Sequence, residues 1–392
     1  MAVVLPPKLT YPLVCTVSTL YRKSMALPSD GVCDYLFYDS LYKDNMNIFT
    51  EPLSNDLYDF LKRAGQHKTT EFGLSFDYEN QLFQSDYNTS AFQALVADVA
   101  NEGVLHLGIL NMLNDTTDNA TMDQALHILL KFEEYMAPTR TAARYRITAL
   151  GLSVDVPKVF TWYRERFQKI YLPHLIVAVS HFSYRDADRP DCEIMPPSIL
   201  RHPNHVTLHY GHTLLLSVSH VTSLARKHLQ TSGTVSVTMK GRWYQPKYSD
   251  ASYADLIGTS AYYEDCAAFY GDQDIAPATV CQTSTDPIKK NYQYDKVAQA
   301  GISFDKELGR TLTLETERSL RVKLCGLKKV QLRTTFSIAV YDIDFDAPGP
   351  ACAQLNITGP YRRLQLIHNI RDFFRDLFRK SGDESQCLKV TI

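Results

Sequence analysis

The sequence has no C-x-x-C pair among its eight cysteines, which removes the usual spacing of a structural zinc site. Its twelve histidines include no H-E-x-x-H, so the metalloprotease pattern is missing too. No metal and no other cofactor is expected. No apolar run approaches the roughly 18 residues that a spanning helix needs; the longest, 174–179 and 213–218, are core-sized. No membrane span is therefore expected. The net charge is only −2 over 392 residues, so bulk charge gives no pull toward nucleic acid or an anionic membrane. There is no internal repeat and no low-complexity tract. The opening MAVVLPPKLTYPLV lacks the charged and long apolar regions of a secretory signal.

What is present is globular composition, 45% hydrophobic and 21% charged. The length is large for one ordinary domain, but α/β barrels run this long as single units. Eight short apolar runs recur at 13–18, 35–39, 72–77, 104–110, 147–154, 175–182, 234–239 and 336–341. They are mostly unalternating, as strands buried on both faces should be. Between them, helical spacing predicts helices over 55–63, 90–100, 123–135, 158–168 and 212–228. A last helix is predicted over 360–380, with Leu364, Ile367, Ile370, Phe374 and Leu377 inward and six Arg or Lys outward. Strands alternating with helices predict an α/β fold, a (β/α)8 barrel forming one domain over 1–392. About 95 residues separate the seventh and eighth runs, far more than one crossover needs. The expectation is an insertion between strand seven and its helix, with 245–311 as a lobe within the domain.

One stretch carries a candidate pair. In FGLSFDYENQ (72–81) Asp77 and Glu79 stand two residues apart at the end of an apolar run. Such carboxylates serve glycosidases as acid and partner, although rim carboxylates on barrel loops more often cap a helix or face water. His106 and His181 lie on apolar runs and read as core histidines, not metal ligands. Four Asn-x-Ser/Thr sequons, at Asn88, Asn114, Asn119 and Asn356, point to an oxidising, extracellular setting with glycosylation.

Several landmarks in shared order resemble the family-18 glycoside hydrolases, the chitinases and chitinase-like proteins. PLVCTVSTLYRKSMALPSDGVCDYLFYDS resembles the family's opening, with Cys15 and Cys33 at its two cysteines. VSVTMKGRWY is similar to the family's seventh strand, with Gly241, Arg242 and Tyr244 matching. SLRVK, from Ser319 to Lys323, resembles the S-x-x-x-K helix. YDIDFDAPGPAC resembles the last strand and its sequel, with Asp344, Asp346, Gly349 and Cys352 in place. The resemblance runs from Cys15 to Cys352 and implies a barrel with an insertion after strand seven.

It also implies a test of chemistry. Active members carry D-x-x-D-x-D-x-E on strand four, where the Glu protonates the glycosidic oxygen and the substrate's own acetamido group attacks. FGLSFDYE mimics the end of that motif, but only two runs precede it, so it is strand three and Ser75 takes the place of the Ser in the family's S-x-G-G. Strand four is then GVLHLGILNML (103–113), which has no Asp and no Glu. The polar group nearest the acid's place is Asn111, and a carboxamide gives up no proton. Tyr341 replaces the family's Trp at the end of strand eight, while Tyr184 and Asp186 stand near its M-x-Y-D. Asn111, Tyr184, Arg242 and Tyr341 are the candidate ligand-cleft residues.

The resemblance implies a Cys15–Cys33 bridge. Cys266–Cys281 would close the inserted lobe and Cys325–Cys352 would tie the last helix to the rim, leaving Cys192 with Cys387. Closing each of the first three loops, roughly 15 to 30 residues long, is worth about 3 kcal/mol in the chain-entropy picture. The expectation is a secreted monomer without hydrolytic activity, binding a chitin-like oligosaccharide or a protein at the barrel mouth. The alternative is an active hydrolase of N-acetylglucosamine polymers with a relocated acid, Glu79. A third possibility is a structural barrel whose cleft is filled by its own side chains.

Overall fold

The structure is a computed structural model that describes residues 9–18, 21–42, 47–78, 80–112, 119–137, 145–153, 165–182, 192–203, 213–225, 231–247, 262–281, 290–305, 308–332, 335–346, 352, 355 and 359–392. Glu79, Asn114, Tyr184, Asp186, Gly349 and Asn356 lie outside the described residues, as do the side chains of Asn119 and Cys281.

The chain divides into two compact units. The first comprises Met1–Val179, Ser217–Ser236 and Thr335–Tyr341. It carries the barrel, but for the last two residues of the seventh strand. The strands are β1 (Leu13–Val17), β2 (Tyr35–Leu41), β3 (Glu71–Phe76), β4 (Val104–Met112), β5 (Thr148–Ser153), β6 (Leu175–Val179), β7 (Ser232–Thr238) and β13 (Ser337–Tyr341). They close in the order β1-β13-β7-β6-β5-β4-β3-β2, and the registered pairs are parallel. All eight predicted runs are barrel strands. Their residues are almost all buried, which is why the runs do not alternate.

Helices follow the predicted positions where these are described; of the helix expected over 158–168, residues 158–164 lie outside the described residues. In α1 (Asn55–Ala64) the Ser54 side chain caps the first turn by accepting from Leu57 N, and Leu57, Phe60, Leu61 and Ala64 are buried at helical spacing. The short α2 (Gln81–Asp86) is capped by Asn80, which accepts from Leu82 N and Phe83 N. Thr89 does the same for α3 (Ser90–Asn101). Next come α4 (Asn119–Met136) and α5 (Leu214–Ala225). Tyr35, Phe37, Leu110, Ala149, Val177 and Ala339 belong to one buried cluster. His106 is the predicted core histidine. Its Nδ1 accepts from Ile147 N at 3.2 Å, which leaves Nε2 to donate to Glu71 Oε2 at 2.9 Å.

The second unit comprises Ser180–Leu216, Val237–Thr334 and Asp342–Ile392. The insertion after β7 forms a five-stranded sheet of β8 (Gly241–Pro246), β9 (Cys266–Ile275), β10 (Gln293–Asp295), β11 (Ala300–Asp305) and β12 (Arg310–Leu314). Its order is β10-β11-β12-β8-β9, antiparallel throughout. The apparent seventh strand VSVTMKGRWY thus divides near Met239 and Lys240, so that Gly241, Arg242 and Tyr244 belong to this sheet.

The S-x-x-x-K landmark is structural. Thr316 and Ser319 form a capping box at the start of α6 (Glu317–Val330). The Ser319 hydroxyl also donates to Glu315, and Lys323, one turn on, pairs with the same carboxylate at 2.5 Å. Ser198 Oγ adds a third bond at 2.6 Å, and both charged side chains are fully buried. Burial pushes the Lys323 ammonium down, against the pull of Glu315.

The predicted basic face of the last helix needs correcting. In α7 (Arg362–Asp376) Arg363 is buried, donating to Asp346 Oδ1 at 2.7 Å, Glu315 O at 2.9 Å and Met239 O at 3.0 Å. Burial pushes the Asp346 carboxyl up, against the Arg363 guanidinium. Arg371 is buried as well, whereas Leu377, expected inside, is exposed beyond the helix end. Helical spacing could not show that the first turn of α7 meets a buried carboxylate and open backbone carbonyls.

Cys15–Cys33 is bridged as the resemblance implied. Two other pairings are corrected. Cys266 bonds Cys192, not Cys281, because residues 192–194 run antiparallel to 263–266, with Cys266 N donating to Cys192 O at 2.8 Å and Tyr263 N to Ile194 O at 2.8 Å. Cys325 bonds Cys387 of α8 (Glu384–Cys387), not Cys352, because α8 lies against α6 and brings the Cα atoms to 5.8 Å. Cys192 and Cys387 therefore do not pair with each other. Cys352 is in a disulfide of its own.

Candidate functional site

In a parallel barrel the C-terminal strand ends carry the site. In the first unit these ends bring together Asp39, Ser75, Asn111 and Tyr341, with Asp77 following β3.

The cluster is organised by an irregularity in β4. The register with β5 shifts between Ile109 and Met112, a bulge that takes backbone groups out of the ladder. Leu110 shows how they are satisfied. Its N–H donates to Ser75 Oγ at 2.9 Å, and its carbonyl accepts from the Tyr341 hydroxyl at 2.8 Å. Gly151 on β5 makes the room, since a Cβ there would overlap the Leu110 carbonyl. Asn111 Nδ2 donates to Asp39 Oδ1 at 2.8 Å. Asn111 Oδ1 is buried and has no hydrogen-bond partner among the described residues.

Among the described strand-end residues of this unit, the carboxylates are Asp39 and Asp77. Asp77 is 6% exposed, and its backbone is held by Leu41 O and by Asn80 N. Tyr341 is 5% exposed, so little ring face is offered to a sugar. Of the predicted cleft residues, Asn111 and Tyr341 meet here. Arg242 lies in the other unit on β8, with its Nε 3.6 Å from Asp274 Oδ1. There Lys240 Nζ sits 2.8 Å from Asp274 and 3.5 Å from Asp342. Burial alone would lower Lys240, but the two carboxylates outweigh it and hold the ammonium above its ordinary range. Asp39 was missed in the sequence; its only signal is a lone carboxylate ending the apolar run YLFYDS. Asn88, the sequon residue whose side chain is described, is exposed in the turn between α2 and α3. Among the described residues no group of three His, Cys, Asp or Glu is placed to hold a metal.

The arrangement presents hydrogen-bonding groups, and β4 contributes no carboxyl to it. A carboxamide donates hydrogen bonds without serving as an acid, and the Tyr341 hydroxyl is committed to a backbone oxygen.

No protein-family model matches the sequence, and no curated protein matches it. Solved structures do. YKL-39, determined in the presence of chitooligosaccharides, superposes with a TM-score of 0.59 at 13% identity, covering 91% of this chain and 98% of its own. The fold is that of chitinases and chitinase-like proteins. A chitinase-like agglutinin from Robinia pseudoacacia gives 0.55 at 10% identity, with 85% and 95% covered. The Group IV chitinase of Ostrinia furnacalis gives 0.58 at 11%, with 92% and 99% covered. No helix among the described residues is long and apolar enough to cross a membrane.

Proposed function

We propose that this is a non-hydrolytic chitinase-like protein. One observation carries the reading: the acid-bearing strand of the resembled family is here VLHLGILNM, and its polar end is Asn111, bonded to Asp39. A substrate-assisted hydrolase needs a protonated carboxyl at the leaving oxygen, and β4 carries none. The setting is extracellular: the disulfides and the exposed sequon at Asn88 support secretion and glycosylation. The protein acts as a monomer through its barrel mouth. A chitooligosaccharide is the first ligand to test, since YKL-39 was crystallised in the presence of one.

Calorimetry with chitotriose, run beside an assay with a fluorogenic chitobioside, tests the reading. Binding without turnover supports it. Turnover that is abolished by Glu79→Gln overturns it in favour of a relocated acid. A second reading is favoured by the burial of Tyr341: the mouth is closed by its own side chains and a protein partner is bound elsewhere. Absence of both heat and turnover with chitin fragments would select that reading.

A further inference from the structure

α1 and α3 leave between them a cleft of about 390 Å3. α1 contributes Tyr58, Leu61 and Lys62, at spacing i, i+3, i+4. α3 contributes Leu95, Asp98 and Val99, and its C-cap Glu102 follows, at i, i+3, i+4, i+7. Each set lies on one helix face. The floor is apolar, with Leu61 and Val99 buried. Tyr58 stands over it 63% exposed, an aromatic ring left in water.

The charges around this floor are unbalanced. Glu51, Asp98 and Glu102 face one cation, Lys62. Neither Asp98 nor Glu102 makes an ion pair among the described residues. The helix ends add to the same sign. A Cβ on Gly65, the C-cap of α1, would lie 3.4 Å from the Glu102 carbonyl oxygen, and one on Gly103 would lie 3.4 Å from the Ala64 backbone. The C-termini of both helices therefore meet at this end of the cleft, each with the negative end of its dipole. Gly103, at φ +99°, takes the backbone geometry that lets them approach.

We propose that this cleft binds a small amphiphilic cation, an aromatic or branched apolar body ending in one primary ammonium group. The volume falls in the range of small-molecule sites. The apolar floor and Tyr58 take the body, while Asp98, Glu102 and the two helix ends take the charge. An uncharged sugar would leave the acids unmatched and would lay hydroxyls on a floor without donors. The site is independent of the barrel mouth.

Calorimetry of the full chain with 4-phenylbutylamine, 4-phenylbutanol and 4-phenylbutyrate provides the test. The amine should bind at least about tenfold more tightly than the alcohol, the acid should not bind, and added salt should weaken the amine. Asp98→Asn/Glu102→Gln changes one exposed position of α3 and its exposed C-cap. It should keep the circular dichroism spectrum and remove the amine's advantage. Equal affinity for amine and alcohol overturns the proposal. So does amine binding unchanged in the double variant, or no heat with amine up to about 10 mM. A lysine-rich peptide that binds where the amine does not would replace it with a protein-docking surface.

Discussion

Asn111 Nδ2 donates to Asp39 Oδ1 at 2.8 Å across the ends of β4 and β2. The bond requires an amide on one side and a carboxylate on the other. Asn111→Asp keeps the shape and places two carboxylates in contact, which forces them to share a proton. The pair's folded-state affinity for protons is then raised above that of the unfolded chain, so its stabilising effect is present at low pH and lost as pH rises. The variant should lose about 2 kcal/mol at pH 7 and recover most of it near pH 4. Urea titrations across that range check this. A loss independent of pH would mean the two side chains do not share a buried contact.

The Leu110 carbonyl is held by the Tyr341 hydroxyl on one side and given space by Gly151 on the other. Tyr341→Phe leaves that carbonyl unpaired and should cost about 1–3 kcal/mol. Gly151→Ala overfills the same place, at a cost of about 1–3 kcal/mol. Because both act on one carbonyl, their effects should not add in the double variant. Strict additivity in urea denaturation would show that the bulge is not a shared element.

The strands were legible because burial on both faces removes alternation, and all eight runs became barrel strands. Helix α1 was legible for the same kind of reason, with Leu57, Phe60 and Leu61 on one stripe. The bulge at Leu110 left no mark in GVLHLGILNML, because register is a property of the backbone pairing. Ser75 was matched to the Ser of S-x-G-G by resemblance, but its partner, a backbone N–H freed by the bulge, was not legible. The disulfides misled for another reason. Nearness in sequence favoured Cys266–Cys281 and Cys325–Cys352, whereas Cys192 and Cys387 reach their partners across 74 and 62 residues through antiparallel contact and helix packing. The landmarks that carried the resemblance, Ser319, Lys323 and Asp346, proved to be buried framework.

Lys323 and Glu315 form a pair with no exposure on either side. Lys323→Met should cost about 3–5 kcal/mol, because it strands a buried carboxylate whose remaining donors among the described residues are Ser198 and Ser319. Adding Glu315→Gln should restore a large part, since the remaining hydroxyls then meet a neutral group. The test is a double-mutant cycle by chemical denaturation. Equal stability of single and double variants would show that Glu315 is not the source of the penalty.

His220 is pushed down from its ordinary 6.5 to about 4 by burial. The imidazole is neutral in the folded protein while the unfolded chain takes up a proton near pH 6.5. Between the two values the unfolded state binds more protons, so stability falls as pH drops from about 6.5 to 4 and levels off below. A shift of this size corresponds to about 3 kcal/mol over that window. His220→Gln should flatten the profile between pH 6.5 and 4 and leave the slope above pH 7 unchanged. If the variant and the parent lose stability in parallel through that window, His220 is not the group that titrates.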